Sequence, residues 1–513
     1  MKNKHKHKAT SIDWPVLLIS GGFLTLFVVA SFINGEYVSE LVNQSFAFSV
    51  EYFGSLYQIL VLGFFLVALY LAFSKYGRIK LGKREKPEMS TFKWTSIIMC
   101  TLMAGGGVFW AAAEPLNQFL TPPPYFAQKG VETMTEEAVA PALGQSFLHW
   151  GFLAWAINGT LSTIILMYVH YHRELPLKPR AFLYPFLGEK VFNKSIIGTI
   201  ADAVSVIAVA AGTIGPIGFL GLQAGYALHS LFGLPNTFTT QFLIILGLVT
   251  VAAISAVTGV DKGIQWLSSF NVQLTVVLCI AVLILGPGMF IFNQFFASLG
   301  VYIQNFVGMS TYRGNTEWLG SWTVFFWGWF IGYGPMMAIL VSRISRGRSI
   351  RQIVLTVSVL AAVIMNFWFT VVGGSGIFFE MESPGSISNA LADGGMPAAM
   401  IAIIQQLPFG TILAFLFLIA TIIFVTTTTD SMSLTIAMAI TGDNSPSSFM
   451  RVFWAVIMGL VTIILLSFGE GSIGSIQSFI VVTAIPVSLL LLPNIITAPK
   501  ICKRLLAEQN QIE

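Results

Sequence analysis

Long apolar stretches, separated by short polar segments, occupy most of this chain. A helix needs roughly 20 mainly apolar residues to cross the hydrocarbon core of a bilayer. Segments of that length predict twelve membrane-spanning helices, here called spans 1 to 12, at residues 15–34, 55–74, 94–113, 147–169, 200–230, 237–257, 266–296, 318–342, 352–378, 409–440, 449–469 and 473–497. Amphipathic segments near residues 297–310 and 387–406 predict two further helices that lie at the membrane surface.

The composition indicates the same class. Of the 513 residues, 55% are hydrophobic and only 10% are charged, whereas a soluble globular domain has about 25% charged residues. We therefore expect an all-α polytopic membrane protein. The basic N-terminus precedes a long apolar run without a small-residue cleavage site, which favours an anchored first helix over a removed signal peptide. Cys100, Cys279 and Cys502 lie too far apart in sequence to indicate a disulfide framework or a metal site.

The distribution of lysine and arginine predicts the orientation of the spans. If the N-terminus is cytoplasmic, every one of the 27 lysines and arginines except Lys129 and Arg313 falls in a cytoplasmic segment. Basic residues gather in the cytoplasmic loops of membrane proteins. The asymmetry therefore favours twelve spans with both termini in the cytoplasm.

Two spans contain residues that weaken helices. Span 3 has three consecutive glycines, Gly105 to Gly107, and span 8 contains the stretch Trp-Gly-Trp-Phe-Ile-Gly-Tyr-Gly-Pro at residues 327–335. Carriers built from inverted repeats have glycine- or proline-interrupted spans at corresponding positions of their two halves. Spans 3 and 8 are five apart, which predicts two inverted five-helix repeats, spans 3–7 and 8–12, after two extra N-terminal helices. Close helix packing explains the three glycines equally well.

Five aromatic residues share one face of span 8. Trp322, Phe326, Trp329, Phe330 and Tyr333 are related by spacings of three or four residues. Because the rings continue into the span, some of them must face protein or a cavity and not the interfacial belt. Aromatic core packing is one interpretation. The other is a cage of ring faces for a quaternary ammonium group, with about 2 kcal/mol or more for a desolvated contact, since no acidic residue lies within residues 327–335 to pair with a cation.

Span 4 begins with His149 and Trp150, and Trp155 follows one turn later. An interfacial aromatic belt is the ordinary explanation of such tryptophans, and it suits Trp150 better than Trp155. His149 lies at the predicted membrane edge and has no partner that the sequence reveals. We expect it to be a structural histidine rather than a proton carrier.

Several motifs together resemble the betaine/carnitine/choline transporter family, and the resemblance runs from span 1 to span 12. They are AEPLNQFLTPPP at residues 113–124, HWGFLAWA at 149–156, GVDKGIQWLS at 259–268, SRISRGRSIRQ at 342–352 and TTTTDS at 426–431. The resemblance implies a leucine-transporter-like fold and a homotrimer in the bacterial cytoplasmic (inner) membrane, with no nucleic-acid partner. It also implies a substrate with a trimethylammonium or similar methylated cationic head.

The resemblance carries substrate-binding roles onto specific residues. The side chains are Trp150, Trp155, Phe326, Trp329, Phe330, Tyr333 and Met103, and the backbone contacts are Ala104, Gly105 and Gly106. The chain departs from the family's tryptophan-rich motif at Phe330 and Tyr333, and it has Gly332 where betaine carriers often have serine. In span 3 it has Ala-Gly-Gly-Gly, where the family alternates glycine with larger residues. These departures leave the particular methylamine open.

The resemblance also implies sodium as the coupling ion. The site would use Cys100, Met103, Phe424, Thr427 and Thr428, through hydroxyl groups and backbone carbonyls. Without the resemblance, helix back-bonding is the simpler explanation of the four threonines. Sodium-independent exchangers of the family have an arginine in span 7 at the position of Asn271 here, so sodium symport is favoured. A second sodium site has one matching residue, Thr213, but Val209 replaces the other.

The predicted segments are a cytoplasmic tail at 1–14, two prefix helices with a basic loop at 15–90, repeat 1 at 91–296, a surface-helix linker at 297–317, repeat 2 at 318–498 and a second tail at 499–513. We expect sodium-coupled import of glycine betaine, choline, carnitine or trimethylamine N-oxide, and the alternative is a sodium-independent substrate/product exchanger. The short tails argue against tail-based osmotic activation, while a role for the substrate as an osmolyte stays open. An intramembrane enzyme is disfavoured because Glu114 and Asp430 lie in different spans without a nearby histidine, and a channel because a cage would trap its ligand.

Overall fold

The computed structural model describes residues 12–103, 107–258, 261–441, 446–469 and 473–510, except for the side chains of residues 100–103, 261–265 and 510. Within these ranges the chain is almost entirely helical, and the only paired extended segments are the single bridge between Lys80 and Ser349. The short tails at 1–11 and 511–513 lie outside the described residues.

Eleven helices in the described part are long and apolar enough to cross a membrane. They are Trp14–Ile33, Gly35–Phe73, Glu136–His172, Ile196–Phe232, Phe238–Thr258, Trp266–Leu285, Thr316–Ile344, Ile350–Glu382, Gly410–Thr441, Ser448–Phe468 and Gly474–Gln509. The remaining predicted span, span 3, consists of Thr91–Met103 and Gly107–Leu120, on either side of three residues outside the description. The all-α polytopic class is thus confirmed, whereas the count of twelve and the inverted repeats stay predictions.

Spans 4, 5 and 8 form the interior of the bundle. Their most apolar windows are 94%, 89% and 89% buried, against 28%, 28% and 17% for spans 1, 6 and 7. Span 5 packs against spans 8, 10, 11 and 12, and span 8 packs against spans 4 and 12. Side chains on these three spans are therefore surrounded by protein, while spans 1, 6 and 7 leave most of their surface exposed.

Span 8 is not interrupted at its glycines. The helix Phe325–Ile344 runs without a break through Gly332, Gly334 and Pro335, and a π-turn at Gly320–Val324 precedes it. Two glycines of this helix lie close to neighbouring helices: a β-carbon would lie 3.2 Å from the Tyr57 ring at Gly328 and 3.0 Å from a Leu491 methyl at Gly334. The expectation of a loosened backbone was therefore wrong here, because the glycines permit close packing instead.

The described part instead contains breaks in span 4, which the sequence did not predict. Helical geometry stops at Gly151 (φ −97°, ψ −140°) and again at Thr160 (φ −109°, ψ −88°). A β-carbon on Gly151 would clash with the carbonyl oxygen of Phe147, so a side chain at this position would force the backbone to shift. The first break directly follows Trp150.

Two further boundaries differ from the sequence-based ones. Span 7 ends at Leu285, and a separate 24-residue helix, Gly288–Thr311, follows after Gly286 and Pro287. The expected end of span 7 at residue 296 therefore lies inside this next helix, which packs against the first part of span 4. The segment near 387–406 forms the short helices Ser388–Gly394 and Ala399–Gln405.

Buried and partly buried ion pairs hold together the end of the bundle that carries most basic residues, here called the basic end. The backbone N–H of Arg180 donates to Asp202 Oδ1 at 2.7 Å, and its Nε donates to Oδ2 at 2.6 Å. Asp13, just before span 1, accepts from Lys178 Nζ at 3.0 Å and from Arg180 Nη2 at 3.1 Å. The starts of spans 1 and 5 are thereby tied to the segment that joins spans 4 and 5.

Candidate functional site

Five aromatic side chains from spans 4 and 8 meet in the interior, and we call them the ring cluster. The members are Trp150, Trp155, Phe326, Trp329 and Phe330. The Trp150 ring centroid lies 5.4 Å from Phe326, 5.9 Å from Trp329 and 5.4 Å from Phe330. The Trp155 centroid lies 5.2 Å from Phe330. Most of these contacts are edge-to-face, which is a favourable geometry for aromatic quadrupoles.

Both tryptophans of span 4 lie deep inside the protein. Trp150 and Trp155 are each only 2% exposed, and the span that carries them begins at Glu136, well before the expected start of span 4. The interfacial-belt interpretation of Trp150 was therefore wrong. The longer helix places the residue in the interior, opposite the aromatic face of span 8.

Further rings surround the cluster, and they were not predicted from the sequence. Trp110 contacts Phe326 at 4.9 Å, Phe219 contacts Trp329 at 5.7 Å, and Phe369 contacts Trp150 at 5.2 Å between centroids. They come from spans 3, 5 and 9. Trp110 follows the three glycines closely, which was a usable signal, but nothing distinguishes Phe219 and Phe369 from other phenylalanines in apolar helices.

Trp329 is fixed by a close approach of spans 5 and 8. Its indole Nε1 donates to the Gly212 carbonyl oxygen at 3.0 Å. A β-carbon on Gly212 would lie 2.5 Å from the Tyr333 ring and 3.3 Å from the Trp329 ring. Because real β-carbons do not approach ring carbons so closely, Gly212 allows both aromatic side chains to pack against span 5.

Replacing Gly212 by alanine is expected to reduce transport at least about tenfold, because the Tyr333 ring must move away from span 5 and the Trp329 hydrogen bond is disturbed. Gly332→Ala is the matched control: its β-carbon meets Ala208 at ordinary contact distances of 3.4 and 3.5 Å, so uptake stays within about twofold. Initial rates per folded protein measure both effects. Equal uptake rates in Gly212→Ala and Gly332→Ala would contradict the role of Gly212 in the packing of Trp329 and Tyr333 against span 5.

Tyr333 lies one turn beyond Trp329, between the ring cluster and an inner cavity. Its hydroxyl is 3.2 Å from Thr213 Oγ1. Within the described part of the chain, its ring does not contact the rings of the other predicted cage residues, which contact one another. The cavity, of about 670 Å³, is bounded by Tyr333 together with residues of spans 4, 8 and 10 and the 4–5 segment, including Met336, Met337, Lys178 and Arg343. Tyr333 therefore separates the cluster from a space on the side of the basic end.

A buried polar network lies behind Trp150. The Glu114 carboxylate accepts from Trp150 Nε1 at 3.0 Å and is 2.5 Å from His149 Nδ1. His149 Nε2 is 2.8 Å from Thr323 Oγ1 and 3.0 Å from Gln145 Nε2. His149 is fully buried and contacts Glu114, so the expectations that His149 has no partner and that no histidine lies near Glu114 were both wrong.

Part of the expected site lies outside the description. Ala104, Gly105 and Gly106 are not among the described residues, nor are the side chains of Cys100 and Met103. At the edge of this gap, Trp368 Nε1 donates to the Gly107 carbonyl oxygen at 2.9 Å. The substrate and sodium roles of the span-3 backbone remain predictions.

The threonines of span 10 show both back-bonding and one free hydroxyl. Thr427 Oγ1 donates to the Ile423 carbonyl oxygen at 2.7 Å and is 3.4 Å from that of Phe424. Among the described residues, the Thr428 hydroxyl has no hydrogen-bond partner, although the residue is only 7% exposed. Asn271 donates to the Ala420 carbonyl oxygen at 3.2 Å, which joins span 7 to span 10 at the position where an arginine would stand in an exchanger.

A polytopic helical bundle whose interior holds an aromatic cluster next to a cavity has the architecture of a membrane carrier. Sequence comparison gives the particular family. A family model described as "BCCT, betaine/carnitine/choline family transporter" matches residues 15–507. The chain belongs to this family of transporters.

Curated relatives cover almost the entire chain. Glycine betaine transporter 2 of Vibrio parahaemolyticus is 51% identical over 505 residues, 98% of this chain and 93% of the relative. The ectoine/hydroxyectoine transporter of Virgibacillus pantothenticus is 31% identical over 490 residues, 94% and 95% of the two chains. The glycine betaine transporter OpuD of Bacillus subtilis is 30% identical over 491 residues, 94% and 92%. All three are transporters by name.

Proposed function

We propose that this protein imports a small quaternary ammonium compound by sodium symport, with glycine betaine as the first candidate. The observation that carries the proposal is the ring cluster, in which the faces and edges of five rings meet in a desolvated interior. A trimethylammonium head has no N–H to donate, so ring quadrupoles are the protein groups suited to it. The relative with 51% identity is named as a glycine betaine transporter, which favours that substrate over choline, carnitine and trimethylamine N-oxide.

Binding in the cluster requires the rings to separate. The centroids of Trp150, Trp329 and Phe330 lie 5.4 to 6.3 Å apart, so the rings touch one another. The break at Gly151 supplies a place where the chain carrying Trp150 can shift without disrupting the rest of span 4. We propose that the head enters between Trp150 and the span-8 rings, and that Tyr333 separates it from the inner cavity until release.

Two features support the proposal of sodium coupling: oxygen atoms of span 10, and Asn271 at the position where sodium-independent exchangers have an arginine. Sodium is a hard cation that prefers oxygen ligands. Thr427 and Thr428 supply hydroxyls, and that of Thr427 lies 3.4 Å from the Phe424 carbonyl oxygen. Each positive charge that enters down an inside-negative potential of 100 mV contributes about 2.3 kcal/mol. One or two sodium ions therefore suffice to concentrate a small zwitterion.

Uptake of radiolabelled glycine betaine into proteoliposomes is expected to require an inward sodium gradient, with a potassium gradient of the same size as the control. Unlabelled choline, carnitine and trimethylamine N-oxide, added in turn as competitors, rank the substrates. Uptake that is indifferent to sodium and requires substrate inside the vesicles would contradict symport and establish the alternative, a sodium-independent exchanger.

The same assay separates the sodium site from ordinary back-bonding. Thr428→Ala removes the unpaired hydroxyl and is expected to raise the half-maximal sodium concentration about tenfold, which corresponds to about 1.4 kcal/mol. Thr426→Ala is the matched control, because its hydroxyl already donates to the Ile422 and Ile423 carbonyl oxygens at 3.0 and 3.1 Å. An unchanged sodium dependence in Thr428→Ala would place the ion elsewhere.

We further propose a homotrimer in a bacterial cytoplasmic membrane, with both termini cytoplasmic. The family resemblance supports the trimer, and the gathering of basic residues at one end of the bundle supports the orientation. Mass determination of the detergent-solubilised protein tests the assembly. The orientation is tested in intact cells, by the accessibility of single cysteines introduced at the basic end of the bundle to a thiol reagent that does not cross the membrane.

A further inference from the structure

The carboxylate of Glu114 is the acidic group next to the ring cluster. It comes from span 3 and is fully buried. One oxygen accepts from Trp150 Nε1 at 3.0 Å, and the other is 2.5 Å from His149 Nδ1. Trp150 in turn contacts three other rings of the cluster. The carboxylate therefore touches the cluster through the edge of one indole ring.

The hydrogen-bond partners favour one charge state of the pair formed by Glu114 and His149. Gln145 Nε2 carries only hydrogens to donate, so His149 Nε2 accepts from it at 3.0 Å. In a neutral imidazole the other nitrogen, Nδ1, then carries the proton and donates it to Glu114. A donor on each oxygen favours the ionised form of Glu114, with His149 neutral. Among the described residues, His149 is the only ion-pair candidate of Glu114, and no lysine or arginine neutralises it.

A carboxylate that accepts from an indole N–H increases the electron density of that ring. The negative potential over the ring face deepens, and this potential is what attracts a cation. The carboxylate also adds its own Coulomb attraction, which is weakly screened in a desolvated interior. Both effects act on the charge of a ligand and leave the attraction for its shape unchanged.

We propose that Glu114 is a positioning residue for the ring cluster that acts through Trp150 and makes the cluster select a positively charged head over a neutral head of the same shape. This inference rests on the proposed function. His149, Gln145 and Thr323 keep the carboxylate ionised and oriented, and the stacking of His149 on Phe326 at a centroid distance of 5.0 Å links the same network to a second ring.

The test compares two ligands that differ only in the charge of the head. Glycine betaine has a trimethylammonium head, and 3,3-dimethylbutanoate has a tert-butyl head on the same acetate. Equilibrium binding of both is measured on the purified full-length protein and on Glu114→Gln. The amide keeps the size of the side chain, its oxygen can still accept from Trp150, and its NH₂ can donate to His149 in the other tautomer, with Nε2 then donating to Thr323.

In Glu114→Gln we expect the affinity for glycine betaine to fall about tenfold and that for 3,3-dimethylbutanoate to change less than twofold. Glu114→Asp, which keeps the charge, retains most of the preference for the cationic head. Glu380→Gln is the matched control, because this buried carboxylate lies at the far end of span 9, where it accepts from the backbone N–H groups of Gly385 and Ile387. We expect this variant to keep the wild-type ratio of the affinities for the two ligands.

A second variant guards against misfolding of Glu114→Gln. Trp150→Phe keeps a ring but removes the N–H. Adding Glu114→Gln to Trp150→Phe is therefore expected to lower the affinity for glycine betaine less than Glu114→Gln does in the wild type. Equal losses for both ligands in Glu114→Gln, or no loss for either, would overturn the electrostatic role while leaving the proposed function intact. A wild-type protein that binds neither ligand would overturn the proposed function and this inference together.

Discussion

Trp329→Leu is expected to raise the glycine betaine concentration for half-maximal uptake about thirtyfold. The Trp329 ring lies between Trp150 at 5.9 Å, Phe219 at 5.7 Å and Phe325 at 5.7 Å between centroids. A desolvated contact between a cation and an indole face is worth about 2 kcal/mol, which corresponds to roughly a thirtyfold change in affinity. Leucine keeps an apolar side chain there but supplies no quadrupole. Initial uptake rates at varied substrate concentration measure the effect.

Trp327→Leu is the matched control for this prediction. Trp327 is on the same helix and equally buried, but its ring contacts none of the cluster among the described residues. We expect its replacement to lower the stability of the protein through the cavity it leaves, while the half-maximal concentration stays within about twofold. A similar increase of the half-maximal concentration in Trp329→Leu and Trp327→Leu would mean that the loss of side-chain volume in span 8, and not the loss of a ring from the cluster, causes the effect.

Asp202→Asn is expected to destabilise the protein by about 3 kcal/mol or more. The Asp202 carboxylate accepts from both the backbone N–H and the Nε of Arg180, and both residues are almost fully buried. Removal of one member of a buried ion pair leaves the other charge uncompensated, which typically costs about 3–5 kcal/mol. Because Arg180 also pairs with Asp13, part of its charge stays balanced, and we expect the lower end of this range.

Thermal unfolding in detergent measures this loss as a lower midpoint. Glu189→Gln is the control, since this exposed carboxylate is on the same segment and is expected to leave the midpoint unchanged. Combining Asp202→Leu with Arg180→Met removes both charges and is expected to recover much of the stability lost in Asp202→Asn. A midpoint in Asp202→Asn equal to that of Glu189→Gln would show that the pair does not hold spans 1 and 5 to the 4–5 segment.

The sequence predicted the helical class and the span-8 side of the ring cluster because both follow from local patterns. Hydropathy over roughly 20 residues identifies a span, and spacings of three and four put Phe326, Trp329 and Phe330 on one face. The same spacings placed Tyr333 with them, but the structure puts its ring one turn away, against Gly212. Helical periodicity gives the face of a helix and leaves open which neighbour each residue meets.

The network around Glu114 depended on tertiary packing, and the sequence could not reveal it. Glu114 and His149 lie 35 residues apart in different spans and meet at 2.5 Å. Their contact results from the way span 4 extends to Glu136 and breaks at Gly151. The glycines of span 8 led to the wrong prediction of a loosened backbone for a related reason. Glycine both weakens a helix and allows close packing, and only the neighbouring helices decide which property is used.

In the proposed function, the ring cluster holds the methylated head of the substrate. The most direct test is a cryo-EM structure of the transport-competent protein in sodium and saturating glycine betaine. We predict density for the trimethylammonium head among Trp150, Trp329 and Phe330, with the rings moved apart to face it. Substrate density only in the inner cavity beside Met336 and Met337, with the rings still in mutual contact, would contradict the claim.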